Sequence, residues 1–138
     1  MEIERDISGI ARSEIQETLD ELAYLTNTKD LIEDLLVTSK ESEYMNHDAG
    51  QYDIPNHEII LNRRLIKQLT NRDQEFDEWV DYFRYILAHE YHHAIASKLG
   101  KTMWTPNTTE YHLEALVFGC LYSGLSMKTL YQYMFEFY

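Results

Sequence analysis

The chain has one cysteine, two prolines and five glycines among its 138 residues. A lone Cys120 excludes any disulfide within the chain, so packing alone must hold the fold. It lies in the apolar run Leu116-Val117-Phe118-Gly119-Cys120-Leu121, where a core role fits better than a nucleophile. No repeat, low-complexity stretch or linker divides the chain, and one domain over residues 1–138 is expected. No run approaches the roughly 20 apolar residues that span a bilayer. The charged start Met1-Glu2-Ile3-Glu4-Arg5-Asp6 has no apolar signal core behind it, and a cytoplasmic location without membrane contact is the expectation.

Basic residues are also scarce. Twelve Lys and Arg face 24 Asp and Glu, a net charge of -12, of which residues 1–60 carry -11. Such a half repels phosphate backbones, so direct nucleic-acid binding is not expected. A solvated acidic helix surface is the plain explanation; a docking face for a basic partner, or a nucleic-acid mimic, is the sharper one.

What is present is material for a core. Apolar residues make up 44% of the chain, with eleven Tyr, five Phe and two Trp. Ile7, Ile10, Ala11, Ile15, Leu22 and Leu25 recur at helical spacing and predict an amphipathic helix over 6–25. A short helix after Asn27-Thr28 would hold Leu31, Ile32, Leu35 and Leu36. These acidic helices fill residues 1–40. Residues 41–56 lose the helical period, and Tyr44 to Asp53 has room for a strand and a turn. His57 to Leu61 reads as a strand, and Asn62 opens another helix. Asp73 is placed to cap the longest helix, with Phe76, Val80, Phe83 and Leu87 in its apolar stripe and Gly100 at its end. A helix from Thr109 to Ser123 follows, and a last one from Met127 onward. The expected fold is α+β, mostly helical, with the strand region and metal-site helices in 41–125 and a C-terminal helix in 126–138.

The long helix contains Ala88-His89-Glu90-Tyr91-His92-His93, an HExxH motif. Positions four apart share a helix face about 6 Å apart along the axis, so His89 and His93 can reach one Zn²⁺. Glu90, one residue on, is the candidate general base for a water that zinc acidifies towards a pKa of about 7. The implied chemistry is hydrolysis of a peptide or related amide in a protein or peptide substrate.

A zinc site of this class needs a third ligand. HExxH followed by a second helix, Thr109-Glu110-Tyr111-His112-Leu113-Glu114-Ala115-Leu116-Val117-Phe118-Gly119, resembles the gluzincin-type zincins, including the ImmA/IrrE-type metallopeptidases. On the resemblance, Ala115, Phe118 and Gly119 match the second-helix pattern, and the ligand position falls on His112 where that family has Glu. Leu116 stands where the family has Asp or Asn. A three-histidine set is similar to that of the SprT-like proteases. Glu114 and then Glu110 remain alternatives, since both share the face of Leu113, Val117 and Leu121 and either could point inward. Ile59-Ile60-Leu61 resembles the edge strand that both families place beside the active site, where an extended substrate pairs with the backbone.

Other polar residues carry less. His92 turns about 100° from His93 and suits a surface or core edge. Tyr91 and Tyr111 flank the ligands, where a hydroxyl can stabilise an oxyanion, although packing explains any one tyrosine as well. His47 and His57 fall in the strand region and read as solvent-exposed, with His57 the one that could line a substrate edge. Two competing functions remain: a zincin-fold binding or assembly protein with a structural or vestigial metal and an acidic docking surface, and an acidic inhibitor.

Overall fold

The computed structural model describes residues 1–70, 76–98, 109–125 and 129. It is α+β and mostly helical, with five helices and a small four-stranded sheet among the described residues. The order is β1 (Glu2–Ile3), α1 (Gly9–Leu25), α2 (Lys29–Glu33), β2 (Leu36–Lys40), a 3₁₀ turn (Ser42–Met45), β3 (Gly50–Asp53), β4 (Glu58–Asn62), α3 (Arg63–Thr70), α4 (Phe76–Lys98) and α5 (Thr109–Ser123). Asp73, the side chain of Phe76, Gly100 and, apart from Thr129, the expected helix from Met127 lie outside the described residues.

α1 buries Ala11, Ile15, Leu19 and Leu22, close to the expected stripe, but Leu25 ends it exposed. The helix stops because Asn27 takes a left-handed conformation at φ 55°. Thr28 N then donates to Ala23 O at 2.8 Å and Asn27 N to Tyr24 O at 3.2 Å. This pair of bonds satisfies carbonyls that the helix end would leave bare. α2 is shorter than expected, because Leu36 belongs to strand β2.

The sheet runs β1-β2-β4-β3, with β1, β2 and β4 parallel and β3 antiparallel to β4. β4 is therefore an inner strand, with Val37 beside Ile59 on one side and Tyr52 beside Ile59 on the other. Its Ile59, Ile60 and Leu61 are all buried, as a strand covered on both faces requires. The expected edge strand is thus corrected: β3, not β4, forms the edge.

Asn62 joins the sheet to the helices. Its Oδ1 accepts from Arg64 N at 2.8 Å at the start of α3, while its Nδ2 donates to Asp48 O at 2.9 Å and Ser42 Oγ at 3.1 Å. One buried amide therefore caps a helix and fixes the 42–48 loop. His57 does similar work and is buried, against the expectation of exposure. A carbonyl 2.7 Å away, Leu31 O, obliges Nε2 to donate, so Nδ1 accepts from the Tyr52 hydroxyl at 2.6 Å.

α4 lies at the centre, packed against α1, α3, α5 and β3. Val80, Phe83, Leu87, Ala88 and Ala94 are buried along it. Arg84 reaches α1 through two bonds to the Glu14 carboxylate, at 2.9 and 3.2 Å. No helix among the described residues is long and apolar enough to cross a membrane.

Candidate metal centre

His89, Glu90 and His93 come together on α4, with ligand atoms all within 4.8 Å of one another. Helical spacing alone brings the two imidazoles close. Their ring centroids lie 4.9 Å apart with the planes at 74°, an edge-on pair instead of a stack. Glu90 and His93 are each 6% exposed, and His89 is half-buried. Two nitrogen donors beside a carboxylate, on one side of a rigid helix, form a donor set that suits zinc.

The edge strand completes the surroundings of Glu90. A Cβ placed on Gly50 would come within 2.7 Å of Ile86 Cγ2, 3.2 Å of Glu90 Cγ and 3.4 Å of Glu90 Oε2. A side chain at 50 would press first on Ile86, so glycine lets the β3 backbone lie against α4 beside Glu90. Burial pushes the Glu90 carboxyl up to about 8, and the nearby negative charge of Asp48 adds to the rise. Without a cation beside it, Glu90 is therefore mostly protonated at neutral pH.

The neighbours of the motif point elsewhere. The Tyr91 hydroxyl meets Thr28 Oγ1 at 2.5 Å and donates to Thr28 O at 3.3 Å, which ties α4 to the α1–α2 junction and takes this hydroxyl away from an oxyanion role. His92 packs its ring on Phe118 of α5, centroids 5.3 Å apart, at the core edge as expected. His47 is exposed and shares a 3.0 Å bond with Ser42 Oγ. Cys120 is half-buried, and burial raises its thiol pKa, which disfavours the thiolate a nucleophile needs.

α5 turns its small residues inward. Ala115 and Gly119 are buried, whereas Leu113, Val117 and Leu121 are exposed, Leu121 by 80%. The face of Leu113, Val117 and Leu121 therefore looks outward, so those three residues give no reason to place a neighbouring carboxylate inward. Glu114 is half-buried and does not join the His89–Glu90–His93 cluster. The side chains of Glu110, Tyr111 and His112 lie outside the described residues.

Four residues of this region carry no sequence motif: Gly50, Asn62, Asp48 and Tyr85. Asp48 and Gly50 belong to a segment whose place beside α4 is set by the β3–β4 pairing, so no local pattern marks them. Tyr85 sits one turn before His89, and its hydroxyl lies 3.2 Å from His89 Nδ1. That spacing was visible in the sequence.

No protein-family model, curated protein or solved structure matches this chain. Its function is therefore argued from the site.

Proposed function

We propose that this protein is a small zinc-dependent peptidase in which His89 and His93 hold the ion and Glu90 is the general base. The observation that carries the reading is the meeting of both histidines with a buried glutamate on one face of α4. A structural site needs the histidines but has no use for a buried carboxylate whose desolvation burdens the fold. Bound zinc supplies a Lewis acid that polarises a carbonyl and acidifies a water. The Glu90 carboxylate takes up the proton of that water on one of its oxygens and passes it to the leaving amine. The burial that keeps bulk water from Glu90 also strengthens its hold on a proton once taken up.

β3 supports a peptide as substrate. It is an edge strand, and an extended chain could add to its outer side while lying near Glu90. His112 is the third ligand in this proposal, with Glu114 and Glu110 behind it. A single cysteine is in keeping with work in the reducing cytoplasm.

The test is zinc content together with hydrolysis of a mixed peptide library, wild type beside Glu90→Gln. About one zinc per chain in both proteins, as a single ligand set requires, with cleavage in the wild type alone, is the expected result. A wild type that takes up no zinc on reconstitution, or a Glu90→Gln variant that cleaves at the same rate, would sink the proposal.

A further inference from the structure

Tyr85 belongs to α4 and lies one turn ahead of His89, so its side chain runs beside the first of the two imidazoles. It is buried, its ring centroid is 5.6 Å from that of His89, and its hydroxyl oxygen is 3.2 Å from His89 Nδ1. Two neighbours fix the ring. Tyr82 stacks on it with centroids 6.2 Å apart and planes 14° from parallel. On α5, a Cβ at Gly119 would stand 2.7 Å from both Cδ2 and Cε2 of Tyr85 and 3.2 Å from its carbonyl oxygen. The α5 backbone therefore lies against the ring, and any larger residue at 119 would displace it.

A neutral imidazole has one N–H and one lone pair, and an ion takes the lone pair. The other nitrogen must then carry the proton and find an acceptor, which fixes both tautomer and ring angle. On this basis we infer that Tyr85 is the positioning residue of the metal centre. Its phenolic oxygen accepts from His89 Nδ1–H and leaves Nε2 as the nitrogen offered to zinc, and Gly119 seats the ring that does so. The inference rests on the zinc reading above and adds a link to it. The helix that carries His112, Glu110 and Glu114 is the same helix whose Gly119 presses on Tyr85. Docking α5 thus orients a ligand on α4 at the same time as it brings up its own.

The experiment uses the full chain as wild type, Tyr85→Phe and, as a matched control, Tyr91→Phe. Both variants keep the ring and lose a buried hydroxyl from α4, but the Tyr91 hydroxyl bonds Thr28, away from His89. Zinc affinity is measured by competition with a chromophoric chelator, and the His89 tautomer by long-range ¹H–¹⁵N correlation on the zinc-free protein. Tyr85→Phe is expected to bind zinc some 10–100-fold more weakly and to show a mixture of tautomers where the wild type shows the proton on Nδ1. Tyr91→Phe is expected to match the wild type in both readouts. Equal zinc affinity in Tyr85→Phe and wild type, or an unchanged His89 tautomer, would overturn the assignment. If the wild type itself took up no zinc, the peptidase reading would fail, and the tautomer comparison, which needs no metal, would still decide the role of Tyr85.

Discussion

The sharpest consequence of the site concerns stability, and it needs no substrate. Glu90 is buried, and its carboxyl is pushed from 4.5 up to about 8, first by desolvation and then by the charge on Asp48. In the unfolded chain it returns to an ordinary glutamate value of about 4.3. Because the folded value is the higher one, the native state holds an extra proton between the two. The contribution of this group to stability is complete below about pH 4.3, declines at higher pH, and is lost once the pH passes about 8. The full swing is on the order of 5 kcal/mol, comparable with the roughly 5–15 kcal/mol that holds a domain together.

Glu90→Gln isolates this effect, since the amide keeps the shape and cannot ionise. Urea unfolding in the presence of a chelator, from pH 5 to 9, gives the difference between the two proteins. That difference should move in favour of the variant by about 1.4 kcal/mol per pH unit up to near pH 8, then level off. With saturating zinc the wild type should regain most of the loss, because a cation beside the carboxylate favours its charged form. Parallel curves in the chelator, within about 0.5 kcal/mol across the range, would refute the claim that the fold holds Glu90 protonated.

Three further outcomes follow from the surroundings of the site. Gly50→Ala places a methyl 2.7 Å from Ile86 Cγ2, and the resulting overpacking should cost about 1–3 kcal/mol in urea unfolding, with slower peptide cleavage as β3 moves off Glu90. Asn62→Ala removes the cap of α3 and leaves the Asp48 carbonyl without this donor, so a loss of about 2–3 kcal/mol by the same assay is expected. Among His112→Ala, Glu114→Ala and Glu110→Ala, only His112→Ala should lose stoichiometric zinc when metal content is measured after dialysis.

Much of this arrangement was readable before any coordinates. The motif on α4 follows from residue spacing, and α5 begins and ends where its residues suggested. What escaped depended on partners distant in the chain. Leu31, Ile32, Leu35 and Leu36 keep a helical spacing, yet Leu36 turns extended because β4 offers it Glu58 as a parallel neighbour. β1 spans only Glu2–Ile3 and exists through its pairing with β2. The mistaken edge strand had a usable signal, since three consecutive apolar residues at 59–61 suit a strand buried on both faces, while Gly50-Gln51-Tyr52-Asp53 has the polar character of an edge. His57 was misplaced because its two partners, Tyr52 and Leu31, meet only in the folded protein.

Local rules of stability are broken twice at one contact. A glycine inside a strand costs about 0.5–1 kcal/mol against alanine, and a glutamate buried on a central helix carries a larger penalty still. Either could occur alone as an accident of packing. Here the glycine lets the strand lie against α4 beside the glutamate, its hypothetical Cβ standing 2.7 Å from Ile86 Cγ2 and 3.2 Å from Glu90 Cγ. The two costs therefore serve one arrangement, an edge of backbone held against an acid that stands between two histidines. A fold selected for stability alone would place an apolar side chain at 90. A protein that must bring an extended peptide to a proton acceptor beside a metal has reason to keep both, and Glu90→Leu separates the two cases. In a chelator at about pH 8 it should unfold at higher denaturant than the wild type while cleaving nothing, and a variant less stable than the wild type would remove the argument from strain to function.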